Sequence, residues 1–178
     1  MYAKLKVKVV MLKLGMELNN VNVRQIPNIC QVETFAGNGA GEPMNAIPFP
    51  DGTTFSSIAF AASDLEKNED KEWAVFYVPE NLQGEIETLG GSKSDVAPSD
   101  ALVVDVTTEI DGERYLYAAY PGGNSLNNFN IQRNQVYRMT LTITGEKGQN
   151  NPSSNCFVVK PNGFLSFEPY YRVETGGG

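Results

Sequence analysis

The clearest pattern in the chain is the run from Val136 to Ile143, in which Met139, Leu141 and Ile143 alternate with Thr140, Thr142 and Thr144. Successive strand side chains point to opposite faces, so this segment predicts an antiparallel strand with one buried and one wet face. Leu5 to Leu12 reads the same way, with Leu5, Val7 and Val9 interleaved with Lys4, Lys6 and Lys8, the only basic cluster, which reads as the solvated face of the strand in preference to a polyanion site. In Leu18 to Ile26 the apolar positions Leu18, Val21, Val23 and Ile26 break strict alternation once, and Asn19-Asn20 is the place for a bulge. Pro27-Asn28 then interrupts pairing, and Ile29 to Phe35 resumes it.

Trp73 to Val78 predicts a strand heavy in aromatic mass, with Trp73 in the core. Pro79 has no N–H to donate, so pairing should stop there and leave Glu80-Asn-Leu-Gln-Gly84 as a turn or loop. Ala101 to Ile110 and Glu113 to Tyr120 flank Asp111-Gly112, a type I′ turn signal, and predict a hairpin. A second hairpin signature closes the chain, with Cys156 to Lys160 and Phe164 to Val173 around Pro161-Asn-Gly163. Between these, residues 37–52 are rich in glycine and proline and predict an irregular excursion. Ser56 to Leu65 has helix formers without a 3.6-residue period, which predicts a short helix or turn within Thr54 to Glu69.

Seven to nine strands without βαβ alternation predict an all-β antiparallel sandwich with Greek-key connections. Residues 1–145 are expected to form the sandwich domain. Residues 146–178 read as a polar linker and a terminal hairpin, either an added strand pair or the start of a following domain. The hairpin is expected to pair with a sheet edge, its own or a neighbour's, because unpaired backbone beside Phe157, Phe164 and Phe167 invites aggregation.

Charge and composition narrow the chemistry. A net charge of −7 over 178 residues argues against a nucleic acid or an anionic membrane as partner, since either needs a basic face. Histidine is absent, which removes Ser-His-Asp and Cys-His nucleophile pairs, HExxH zinc helices and Cys₂His₂ sites. The two cysteines, Cys30 and Cys156, lie among apolar neighbours and read as buried thiols, with a disulfide as the other reading. No apolar run approaches the roughly 20 residues of a membrane helix, and no signal-peptide pattern is present. The two ends, a strand directly after Met1 and three glycines at 176–178, read as the ends of a piece of a longer protein.

Three groups of residues offer candidate chemistry. Asp64, Glu66, Glu69, Asp70 and Glu72 present oxygen ligands but match no EF-hand spacing, so a solvated acidic loop is the favoured reading over a calcium site. Asp105 and Glu109 share one face of a strand, expected to be wet, and nothing marks them as a glycosidase pair. Tyr115, Tyr117 and Tyr120 suit either half-buried packing or an aromatic glycan platform. No residue pattern calls for a cofactor, a metal or catalysis.

Two segments, Phe76-Tyr-Val-Pro-Glu-Asn-Leu-Gln-Gly84 and Phe129-Asn-Ile-Gln-Arg-Asn-Gln-Val-Tyr137, resemble signatures of the fimbrillin-like surface proteins of Bacteroides-type bacteria. A third, Asn155-Cys-Phe-Val-Val-Lys-Pro-Asn-Gly163, resembles a strand and turn found in larger members of that group. The resemblance implies a transthyretin-like sandwich, export as a lipoprotein, and display at the cell surface and outer membrane as a non-enzymatic fimbrial (pilus) subunit or adhesin. It implies assembly by β-strand pairing at sheet edges, with other fimbrial subunits or further domains of the same protein as partners. Host or dietary glycans and surface proteins are the candidate ligands, and a carbohydrate-binding sandwich module is the alternative function. Within the resembling segments, Glu80, Asn81, Gly84, Arg133 and Asn134 are expected to act structurally, with Arg133 clamping loop carbonyls or a carboxylate such as Glu80.

Overall fold

The computed structural model describes residues 2–29, 46–65, 72–87, 93–124 and 126–143, and places strands at 153–159 and 172–173. Among the described residues there are nine strands: β1 (Tyr2–Met11), β2 (Glu17–Pro27), β3 (Phe55–Ala61), β4 (Ala74–Pro79), β5 (Val103–Ile110), β6 (Glu113–Ala119), β7 (Val136–Ile143), β8 (Ser153–Val159) and β9 (Arg172–Val173). One sheet runs β4-β1-β7-β8-β9 and the other β3-β2-β5-β6. The fold is an all-β sandwich, as the strand count predicts. It departs from a purely antiparallel sandwich at one pairing, because β1 and β7 run parallel while every other pair is antiparallel. Alternation reports which face is buried and says nothing of a neighbour's direction, which is why Thr-rich β7 read as antiparallel.

The core lies between the sheets and is built from the inward faces of β1, β4 and β7 on one side and β2, β5 and β6 on the other. Leu5 and Val7 of β1, Phe76 and Val78 of β4, and Met139, Leu141 and Ile143 of β7 meet Val21 and Val23 of β2, Val104 and Val106 of β5, and Tyr117 of β6. Each such side chain contributes roughly 1.5–3 kcal/mol on leaving water. Leu141, fully buried, is a position where truncation to alanine costs about 2–5 kcal/mol.

Local features follow the residues that dictate them. Asp111 and Gly112 both adopt positive φ (52° and 79°), as a type I′ turn between β5 and β6 requires. The β2–β5 register shifts between Leu18 and Asn20, at the asparagine pair. A second shift, between Val23 and Ile26 against β3, accompanies the positive φ of Gln25.

Two expectations are overturned. Residues 55–61 form edge strand β3 instead of a helix, because pairing with β2 overrides the weak helical preference of FSSIAFA, and only the single turn Ala62–Leu65 is helical. Trp73 is half-buried, outside the core. It shares the outward parity of Val75 and Tyr77, while Ala74, Phe76 and Val78 point inward. Ala46 to Pro50 has no regular structure, in keeping with an irregular excursion, and residues 30–45 lie outside the described residues.

Candidate functional site

After β4 the chain does not wander. Residues 81–86 run antiparallel to 127–131: Asn81 and Ile131 exchange backbone hydrogen bonds of 2.9 and 2.7 Å, Phe129 N–H donates to the Gly84 carbonyl, and Ile86 N–H donates to the Asn127 carbonyl. Pro79 ends the regular strand, yet the ladder resumes beyond it with a new partner. The two resembling segments are therefore stitched to one another, although 53 residues separate Glu80 from Arg133.

Side chains complete the stitch. The Glu80 carboxylate accepts from the Arg133 backbone N–H at 3.1 Å and lies 3.4 Å from its Nε, with both side chains largely buried. Fully buried Asn81 donates from Nδ2 to the carbonyl of Asp100 at 2.8 Å and that of Gln25 at 3.4 Å. Its link to Gln25 gives a physical reason for the irregularity of β2 there. Gly84 has φ +81°, and a Cβ on it would meet the Ala46 backbone N at 2.8 Å, while its N–H donates to Asn130 Oδ1 at 2.7 Å. Asn134 holds φ +61° and donates its N–H to the Tyr2 carbonyl, which ties this turn to the start of β1. Tyr137, buried at the head of β7, accepts from Gln132 N–H at 2.7 Å and donates to the Asn130 carbonyl. The structure thus brings Glu80, Asn81, Gly84, Arg133 and Asn134 to one end of the sandwich.

Several residues of this end have no counterpart in the sequence reading. Asn124 Oδ1 accepts from the N–H groups of Leu126, Asn127 and Asn128, a turn that asparagine supports well. Lys93 is buried, donates to the carbonyls of Asn124 and Asn128 at 2.7 Å each, and lies 4.7 Å from the Phe129 ring centroid. Pro121-Gly-Gly-Asn124 is itself a loop-forming run, but no local pattern points from Lys93 to a loop thirty residues on.

The tyrosines do not form a platform. Tyr117 is 1% exposed in the core, and burial pushes its phenol up from its ordinary range. Tyr115 donates to Glu113 at 2.8 Å, a bond that holds its own phenol high. Tyr120 packs edge-to-face on Phe129. With Tyr117 closed to solvent, the three rings share no open surface.

The carboxylates are equally committed. Asp105, expected to be wet, is nearly buried and pairs with Arg24 at 2.7 Å. Hydrogen bonds from Arg114 and then Asn19 hold Glu109 below the usual carboxylate range. Among the described residues no three metal-ligating side chains gather, and Glu66, Glu69, Asp70 and Cys30 lie outside them. Cys156 is described only by its strand register, opposite Met139. Among the described residues no helix is long and apolar enough to cross a membrane. Chemically, the described residues of the stitched end are amides, carbonyls, the Lys93 ammonium and the Glu80–Arg133 pair directed at one another, which is an arrangement for holding loops.

Residues 76–141, spanning β4, the stitch and most of β7, match the family described as "Domain of unknown function (DUF4906)". No curated protein matches the chain. Among solved structures the chain is similar to the tip fimbrial protein Mfa3 from Porphyromonas gingivalis with C-terminal truncation, at 14% identity and TM-score 0.49, over 89% of this chain and 51% of that one. It is also similar to a candidate cell adhesion protein from Parabacteroides distasonis, at 13% identity and TM-score 0.45, over 90% of this chain and 52% of that one. The chain spans about half the length of these two structures.

Proposed function

We propose that this chain is a non-enzymatic cell-surface domain of fimbrial or adhesin type that joins its partners by adding a strand to a sheet edge. The observation that carries the reading is the position of β8. This strand, reached across residues 144–152, lies along β7 in continuous antiparallel register from Val136↔Val159 to Thr142↔Ser153. A sheet position filled by a strand from the far end of the chain is one that a strand of the same sequence from another copy fills equally well. Backbone hydrogen bonds would supply affinity, and alternate side-chain positions would supply register. The resembling segments support the same class, because Glu80, Asn81, Arg133 and Asn134 hold loops and present no nucleophile–base pair.

Truncation before Ser153 tests the reading. It uncovers the β7 edge, so the shortened chain should self-associate, and an added peptide of residues 153–159 should return it to monomer. A shortened chain as soluble and as monomeric as the intact one would contradict strand pairing at this edge. The intact protein should also show no turnover on ester, peptide and glycoside substrates, and turnover abolished by one Asp or Glu substitution would contradict the non-enzyme reading.

A further inference from the structure

Strand β3 is an edge of the four-stranded sheet, with β2 on one side and no described strand on the other. An edge strand presents a row of backbone N–H and C=O groups to any extended chain, and proteins usually blunt it with charge, proline or brevity. Over Phe55–Ala61, about 23 Å at the usual rise per residue, β3 has neither a charged residue nor a proline. The opposite edge, β6, carries exposed Glu113 and Arg114, and edge strand β4 of the other sheet ends in Pro79.

Parity shows that this edge is also open toward the core. Ile58 and Phe60 pair with Val23 and Val21, which belong to the core, so both point between the sheets. Phe60 meets Phe76 of β4 edge-to-face, which places β3 and β4 on the same flank of the sandwich. Yet Ile58 is 44% exposed. An inward isoleucine that keeps so much surface in water marks a flank where one more strand fits. The other alternates, Ser57, Ala59 and Ala61, are exposed and small, and leave room for larger side chains beside them.

We propose that β3 receives an extended segment of a partner protein, apolar at alternate positions and basic at the end beside Asp51. The apolar alternates cover Ile58 and Phe60, and backbone pairing supplies the affinity. Charge decides the sign of the end, since Asp51 stands exposed just before β3 in a molecule of net charge −7. It also decides against β3 of a second copy, because residues 51–64 contain no Lys or Arg. This edge belongs to the other sheet from β7 and β8, so the inference does not depend on strand exchange there.

The test adds to the full chain a nine-residue peptide of alternating valine and threonine with lysine at both ends, and follows amide hydrogen exchange. Exchange in β3 should slow while that in β6 stays unchanged. By fluorescence anisotropy, N-methylation of alternate peptide amides should weaken binding about tenfold, because backbone pairing supplies the affinity. Glutamate in place of both lysines should weaken it as well. Ile58→Ser should weaken it severalfold, while Leu116→Ser, at an exposed position of β6, leaves it unchanged. No slowing in β3, equal binding of the methylated peptide, or binding of the glutamate peptide as tight as that of the lysine one overturns the proposal. So does slowing confined to β7 and β8, which places the peptide at the other sheet, or slowing in β3 that follows protein concentration without peptide, which makes a second copy the occupant.

Discussion

Replacing Arg133 by alanine removes one member of an ion pair and leaves the other in its buried position. The Glu80 and Arg133 side chains are 10% and 16% exposed, so the remaining carboxylate cannot recover its hydration without moving. Removing one partner of a fully buried pair costs about 3–5 kcal/mol. Two features of this site reduce that figure: the Nε–Oε2 contact is long at 3.4 Å, and the Arg133 backbone N–H still donates to Glu80 at 3.1 Å after truncation. The expected loss is therefore about 1–3 kcal/mol. For a chain of this length, a loss of about 2 kcal/mol lowers Tm by roughly 4–8 °C. Thermal melts followed by circular dichroism read this directly, and Arg133→Lys should fall between the parent and Arg133→Ala. A cycle with Glu80→Gln should give a coupling of about 1 kcal/mol. A Tm change below about 1 °C for Arg133→Ala, with no coupling to Glu80, would refute the claim that the pair holds the loop to the head of β7.

Two further predictions concern packing and ionisation. A Cβ on Gly122 would lie 1.9 Å from the Asn128 carbonyl oxygen and 2.9 Å from Lys93 Nζ, whereas one on Gly112 meets nothing within 4 Å. Gly122→Ala should therefore displace the loop and lower the urea midpoint strongly, while Gly112→Ala carries only the positive-φ cost of about 1–2 kcal/mol; equal midpoints would contradict the close approach. Burial raises the Tyr117 phenol above its unfolded value, so the folded state binds the proton more tightly. Stability from this group is intact below about pH 10 and is lost as pH rises through the folded pKa. Tyr117→Phe should move the alkaline unfolding midpoint upward, and an unchanged midpoint would show that other groups govern it.

What the sequence revealed and what it hid divide along one line. Where a feature rests on contiguous residues, the pattern was sufficient: the Asp111-Gly112 turn demands positive φ, and the asparagine pair in β2 marks a register shift. Trp73 was misplaced although parity held the answer, since Phe76 and Val78 are the inward set and Trp73 belongs with Val75 and Tyr77. Strand β3 was hidden because it is an exposed edge, with Ser56 to Ala59 open to solvent and no alternation to read. The Glu80–Arg133 pair and the placement of Lys93 join segments tens of residues apart. Such contacts are set by topology, and only the resemblance of the two segments pointed to the first of them. The Lys4, Lys6 and Lys8 row is a local pattern, but the rings beside it come from Trp73, just before β4, and from Tyr77 of β4.

The proposed assembly requires β8 to leave its own β7, or to be replaced there by a neighbour's, and a covalent lock measures this most directly. Thr140 and Asn155 are register partners, and opposite residues of an antiparallel pair have Cα atoms about 4.5–5.5 Å apart, within disulfide range. Thr140→Cys/Asn155→Cys, in a chain with Cys30→Ser and Cys156→Ser, pins β8 in place when oxidised and frees it when reduced. Association followed by light scattering at raised concentration should appear in the reduced protein, vanish in the oxidised one and return with reductant. An oxidised protein that assembles as fast as the reduced one, or a reduced protein that never assembles, would contradict strand exchange at the β7 edge.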